Sequence, residues 1–221
     1  MKSQIHEHKK NYVNIVSKKI ALFAFAMTIL TTSCKKEEKT ETPVEEIKTE
    51  EVSGLKIVSD STKVSWTAYK TTDKVAVGGS FKEIELKNTQ TGNTPEAVLE
   101  GASFSIPVSS LFTNNEDRDN KLKTIFFAAL KNTEMIGGAL NFRDGKCFLT
   151  LTLNDVTKQM EVPFTYENKK FALNSTINLD DFGGQTAIEA INKACFELHK
   201  GADGVSKTWS DVAISGSVLF E

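Results

Sequence analysis

The chain has 221 residues, 39% hydrophobic and 25% charged, with a formal net charge of −2. That balance is ordinary for a globular chain and excludes a collagenous or wholly disordered one. It carries no basic surplus of the kind nucleic acid requires, and three His with three Cys are too few for most metal or redox frameworks.

In chain order, residues 2–19 carry Lys2, Lys9, Lys10, Lys18 and Lys19, and then polarity stops. Ile20–Leu30 is apolar apart from Thr28. At ~1.5 Å per residue this stretch falls short of a ~30 Å hydrocarbon core, so it predicts no stable transmembrane span. Basic, then apolar, then small (Thr31, Thr32, Ser33) is the order of a secretory signal peptide. The run ends at Cys34 and resembles the lipobox of bacterial lipoproteins, where that thiol is acylated and becomes the new N-terminus. The Leu which that pattern prefers three residues before the Cys stands one place early, at Leu30. A plain secretory signal with an incidental Cys is the alternative.

The lipobox resemblance implies a signal peptide over 1–33 and a membrane anchor on Cys34 alone, with no other membrane contact. Five lysines and Glu7 leave with the signal, so the mature chain has a formal charge of −6. Residues 34–55 read as a tether, rich in Lys, Glu and Thr, unable to bury enough surface to offset its ordering entropy. Its start, Lys35-Lys36-Glu37-Glu38, resembles a surface-export signal of some lipoproteins, with a merely solvated linker as the alternative. The expected location is outside the cytoplasm, anchored to the bacterial outer membrane on its periplasmic side or at the cell surface.

From residue 56 to 221 apolar and polar residues alternate, the mark of half-buried strands. Strands are predicted over 63–69, 75–87 and 97–108, then a four-stranded meander over 139–179, and a last strand over 210–220, about eight in all. Asp144-Gly145, Asn154-Asp155 and Glu167-Asn168 supply the meander's reversals. Pro107 and Pro163 each remove a ladder donor and predict bulges or edges, and Gly78-Gly79 is expected to bend the long second strand. Helical spacing appears over 116–130 and 186–199. The predicted class is all-β, an antiparallel sandwich or closed barrel with one or two short helices.

Catalytic chemistry is sparse. His199 is the only imidazole beyond the signal, and at a predicted helix end it reads first as a capping cation. No nucleophile elbow, phosphate cradle or zinc ligand set is present in the sequence, so neither an enzyme nor a cofactor or metal is expected. Cys147 and Cys195 stand in an oxidising compartment if the chain is exported, and both lie on apolar faces, so a disulfide and two buried free thiols both remain open. Asn115-Glu116-Asp117-Arg118-Asp119 reads either as a helix N-terminus with a structural ion pair or as a polar rim in which Arg118 meets a headgroup.

Four segments carry a family resemblance. Asn115–Phe127, with Arg118-Asp119, Leu122 and Phe126-Phe127, is similar to the Asn-x-x-Arg-Asp-x-x-Leu-x-x-x-x-Phe-Phe segment of YceI-like proteins. Leu151–Val162, centred on Asp155-Val156-Thr157-Lys158, resembles that family's Leu-Thr-x-x-Gly-Val-Thr-Lys hairpin, with Asp in place of Gly. Ser175–Asn178 with Asp181-Phe182-Gly183 resembles its Asp-Phe-Gly turn, and Ser210-Asp211 its closing strand. The family's Tyr-Pro-x-Ile-x-Phe strand is replaced by Asn132–Gly137, and 185–207 is a longer helical insertion.

The resemblance implies a lipocalin-like closed antiparallel barrel holding a polyisoprenoid, an isoprenoid quinone or a similar long-chain amphiphile. With apolar faces turned inward, Trp66, Phe104, Ile106, Phe142, Leu149, Leu151, Phe164, Phe171, Ile177 and Phe220 are the expected lining, and Phe81 and Phe126 the expected plug or gate. The rival reading is an interaction module of the cell envelope with a solid core and no lipid.

Overall fold

Residues 54–221, apart from Thr133, are described by a computed structural model. Cys34, the signal segment and the tether up to residue 53 lie outside the described residues.

The first strand, β1 (Lys63–Lys70), turns Val64, Trp66 and Ala68 to one face and pairs with β2 (Val75–Phe81), Trp66 standing opposite Gly79. The turn between them uses left-handed backbone at Thr71 and Lys74. The chain continues through β3 (Glu85–Lys87) to a short helix, α1 (Pro95–Leu99), where a strand was expected from residue 97. Thr94 caps it by accepting the Ala97 N–H at 3.2 Å, and Pro95 sits in the first turn, where its missing donor costs nothing. Next come β4 (Ser103–Pro107) and β5 (Leu111–Phe112), separated by a 3-10 turn over Val108–Ser110.

The helix α2 (Glu116–Lys121) is capped by Asn115, whose side chain accepts the Arg118 N–H at 2.9 Å. It runs on into a π-helical turn, Leu122–Phe126, and a 3-10 turn, Phe127–Ala129. The expected meander follows as β6 (Met135–Arg143), β7 (Lys146–Leu153), β8 (Val156–Val162), β9 (Phe164–Glu167) and β10 (Lys170–Asn178). The second helix expected from spacing, α3 (Gln185–Ala194), ends earlier than residue 199 and passes into a 3-10 turn, Phe196–Leu198. The strand β11 (Thr208–Leu219) closes the chain between β1 and β10.

All pairings are antiparallel, but the strands form two sheets: β5-β2-β1-β11-β10-β9 and β3-β4-β6-β7-β8. This corrects the closed barrel, because among the described residues no ladder joins the two sheets. The reason lies at the corners, where the chain leaves one sheet and enters the other. Pro163, with no N–H to donate, separates β8 from β9. Lys82–Ile84 separates β2 from β3, and the 3-10 turn after Pro107 separates β4 from β5. Two expected strands thus become four, and β5 is added beyond the expected end at residue 108, which is why eleven strands stand among the described residues where about eight were expected.

The Gly78-Gly79 pair makes no bulge, and the long second strand breaks only after Phe81. Both glycines keep the regular register with Thr67 and Trp66. The core lies between the sheets, where Ile106, Leu149, Leu151, Phe171, Ile177 and Val212 all turn inward.

Candidate functional site

Between the sheets lies a cavity of about 570 Å³ lined almost wholly by carbon. Its size falls in the ~300–1,000 Å³ range of small-molecule sites. One wall comes from Val64, Trp66 and Ala68 of β1 with Val212 and Ile214 of β11 and Leu173 and Ile177 of β10. The facing wall comes from Phe104 and Ile106 of β4, Leu140 of β6, and Leu149 and Leu151 of β7. Period-two alternation accounts for both walls, since residues paired across a ladder point to the same side.

Of the side chains expected to line the interior, Trp66, Phe104, Ile106, Leu149, Leu151, Phe171 and Ile177 border the cavity, as do Phe81 and Phe126. Phe142, Phe164 and Phe220 do not. Phe142 and Phe164 meet edge-on at 5.6 Å, and Phe164 stacks on Phe171 at 5.4 Å, so these rings pack on one another. Phe220, 3% exposed, packs edge-on against Tyr166. These positions have the inward parity, but they fall where the aromatic cluster stops the cavity rather than lining it.

The opposite end is framed by helical segments. Arg118 and Lys121 of α2, Leu122 and Phe126 of the π turn, Ile191 of α3, then Cys195, Leu198 and His199, surround it. The stripe Ile188, Ile191, Cys195 and Leu198 was legible as a helix face, but nothing in the sequence placed it at this opening. Val64, Ala68, Leu140 and Ile214 were missed as lining although they share the alternating faces of residues that were named.

Asp117, Arg118, Lys121 and His199 supply charged and titratable groups here. Arg118 is half-buried and makes no ion pair among the described residues, so the structural ion pair anticipated for it is absent. Lys121 Nζ stands 2.6 Å from Asp117 Oδ2, and that contact raises its pKa. Lys70 Nζ donates to the Leu198 carbonyl at 2.9 Å. His199 shares a 2.7 Å hydrogen bond between Nδ1 and Thr208 Oγ1, and burial followed by the Lys70 charge lowers its pKa. Both causes disfavour the charged imidazole that a capping cation requires.

Cys147 and Cys195 are free and buried. Cys147 is paired with Phe142 and Val162 at the aromatic end, whereas Cys195 borders the opening, and this separation leaves no bridge between them. Burial, with Glu100 nearby, pushes the Cys147 thiol up to about 11, so it is an inert core group.

The other motif residues act as braces. Asp119 accepts the Thr113 N–H at 2.8 Å and the Thr113 hydroxyl, fixing the chain before α2. Asn154 Nδ2 donates to the carbonyls of Phe182 (2.7 Å) and Gly183 (3.2 Å), while its Oδ1 accepts the Lys131 N–H at 2.6 Å. The hairpin and the Asp-Phe-Gly turn are therefore tied together beside the opening.

Comparison with known proteins fits this architecture. A polyisoprenoid binding domain from Saccharophagus degradans superposes with a TM-score of 0.56 at 11% identity, covering 76% of this chain and 98% of that one. BcnA of Burkholderia cenocepacia gives 0.51 at 16% identity, covering 74% of this chain and 99% of that one. At these identities the likeness speaks for the fold. No curated protein matches the chain in sequence. The YceI-like domain matches residues 55–218, nearly the whole described region, and the chain belongs to that family.

Proposed function

We propose that the protein binds a long-chain isoprenoid, such as a polyisoprenoid or isoprenoid quinone, or a related amphiphile, and performs no catalysis on it. The observation that carries this reading is the cavity of about 570 Å³, lined mainly by apolar side chains of both sheets, with Arg118 and Lys121 of α2 at its border. A long hydrocarbon tail needs no polar partner along its length, so burial of its surface at ~25 cal/mol per Å² is enough for affinity. Arg118, half-buried at the rim with no ion-pair partner among the described residues, supplies a donor fork for a polar or anionic headgroup. The polyisoprenoid binding domain that shares the fold supports the choice of ligand class.

The lining proposed for the tail is Trp66, Phe81, Phe104, Ile106, Phe126, Leu149, Leu151, Phe171 and Ile177. Native mass spectrometry of protein prepared without detergent is expected to show a co-purified lipid with repeating five-carbon units. Protein that carries no lipid and takes up none when offered refutes the reading. The proposal includes export and an acyl anchor on Cys34, which rest on the segment from Lys2 to Cys34. Cys34→Ser is expected to release soluble protein and abolish incorporation of labelled fatty acid, and a variant that stays membrane-bound and labelled refutes the anchor.

A further inference from the structure

Two aromatic rings of the cavity walls, Trp66 and Phe104, one on each sheet, lie against a glycine of the neighbouring strand. Gly79 stands opposite Trp66 across β1 and β2, and Gly138 stands opposite Phe104 across β4 and β6, so each glycine shares the inward face with its ring. A Cβ on Gly79 would press into the indole, 2.7 Å from its Cε2, and would lie 2.9 Å from Thr113 Cγ2. A Cβ on Gly138 would press into the Phe104 ring, 2.8 Å from Cε1, and into the Thr150 carbonyl oxygen. Their outward-facing neighbours are different. A Cβ on Gly78 comes no nearer than 3.6 Å to anything, and one on Gly137 no nearer than 3.7 Å.

Facing sheets stand ~10 Å apart, and their inward side chains ordinarily interdigitate and fill the gap. Here a missing Cβ on each wall lets an aromatic lie down along the sheet, leaving the space in front of it open. Trp66 also pays no heed to its own polar group in this pose: Nε1 is buried without a hydrogen-bond partner among the described residues. An orphaned buried donor of this kind needs an explanation beyond packing.

We propose that Gly79 and Gly138 set the bore of the cavity, keeping it wide enough for a methyl-branched isoprenoid chain. This rests on the reading that the cavity binds a long-chain lipid. An isoprenoid tail carries a methyl branch at every fourth carbon of its main chain, so it is broader than a straight alkyl tail. A methyl group added at Gly79 lifts the Trp66 ring into the lumen. A straight chain still passes the narrowed level, and a branched one does not.

The test titrates delipidated full-length protein with geranylgeraniol and with hexadecan-1-ol, each displacing the fluorescent dye N-phenyl-1-naphthylamine. Wild type is expected to bind both. Gly79→Ala is expected to weaken geranylgeraniol about tenfold or more and hexadecan-1-ol less than about threefold, the scale of one methyl group in an apolar pocket. Gly78→Ala, on the outer face, is expected to match wild type. Gly138→Ala should follow the order of Gly79→Ala, although its contact with the Thr150 carbonyl makes Gly79 the cleaner position. Adding Trp66→Leu to Gly79→Ala should restore the branched lipid, because no ring remains to be lifted.

A folded Gly79→Ala that keeps geranylgeraniol within about twofold, or loses both lipids equally, overturns the proposal, since a methyl group in a filled pocket shifts affinity by more than that. If Gly79→Ala does not fold, Trp66→Leu is compared with the double variant. Equal geranylgeraniol binding by those two supports the proposal, and a loss confined to the double variant overturns it. A wild type in which neither lipid displaces the dye refutes the lipid reading itself, and the bore falls with it.

Discussion

Asp155 sits in left-handed backbone, φ 59, beside Asn154 at φ 55, in the two-residue turn between β7 and β8. Two consecutive positive φ values suit the twist of a tight hairpin and favour glycine at the second position. The Gly of the related hairpins is thus explained by backbone sterics, and Asp155 holds the same geometry at a cost. Asp155→Gly is expected to stabilise the domain by roughly 0.5–1 kcal/mol, read as a higher urea midpoint with an unchanged slope. His199 acts in the opposite direction on acidification. Its folded pKa is lowered by burial and Lys70, so between that value and the ordinary one the unfolded chain binds more protons. Its contribution is fully present above the ordinary pKa of about 6.5 and is lost as pH falls toward the folded value. Melting temperature measured across this window should fall less steeply for His199→Gln than for wild type.

At the scale of elements, the segment from α3 to the start of β11 is held by a small polar net. Asn192 Oδ1 accepts from Thr208 Oγ1 at 2.9 Å and from Ser206 Oγ at 3.2 Å, and His199 reaches the same Thr208 hydroxyl. Apart from Ala187, Ile191 and Cys195, little of this segment is buried. Asn192→Ala is expected to weaken it by about 1–3 kcal/mol, the cost of orphaning hydrogen-bonded partners. Hydrogen exchange should then quicken over 195–207 while the β7–β8 hairpin keeps its protection. The helix itself was legible from its apolar stripe. Its early end at Ala194 was not, because the residues that follow turn to meet Thr208, a contact remote from local propensity. The same holds at the corners: Pro163 announced a break, but a break between sheets and a bulge within one leave the same mark in a sequence.

For the molecule as a whole, the decisive property is that the space between the sheets is open. Leu151, 6% exposed, faces that space from β7. Leu151→Trp fills lumen in an open cavity, whereas in a solid core it would overpack by ~1–3 kcal/mol. The expected outcome is loss of co-purified lipid with a preserved melting temperature. A marked fall in melting temperature together with lipid-free wild type would return the domain to the rival reading of an interaction module. The volume added by one indole is enough to separate the two cases, because close-packed interiors respond to a single methylene.

Alternation alone determined that Trp66, Phe104, Leu149, Leu151 and Ile177 share inward faces, since a strand's side chains can point only two ways. Turn chemistry at Asp144-Gly145 and Asn154-Asp155 determined the reversals between β6, β7 and β8, because few residues accept left-handed backbone. The four ordered motifs determined the family, and the described hydrogen bonds show Asp119 and Asn154 serving as braces within them. Tertiary structure decided the rest. Whether the ladders close depends on how the corners bend, which no single strand encodes. Phe142, Phe164 and Phe171 have the same inward parity as the lining, yet where a row of rings lines a space and where it stops it depends on the level each ring occupies between the sheets. Gly78-Gly79 read as a bend in sequence, and only the rings lying on Gly79 and Gly138 reveal why a side chain is missing there.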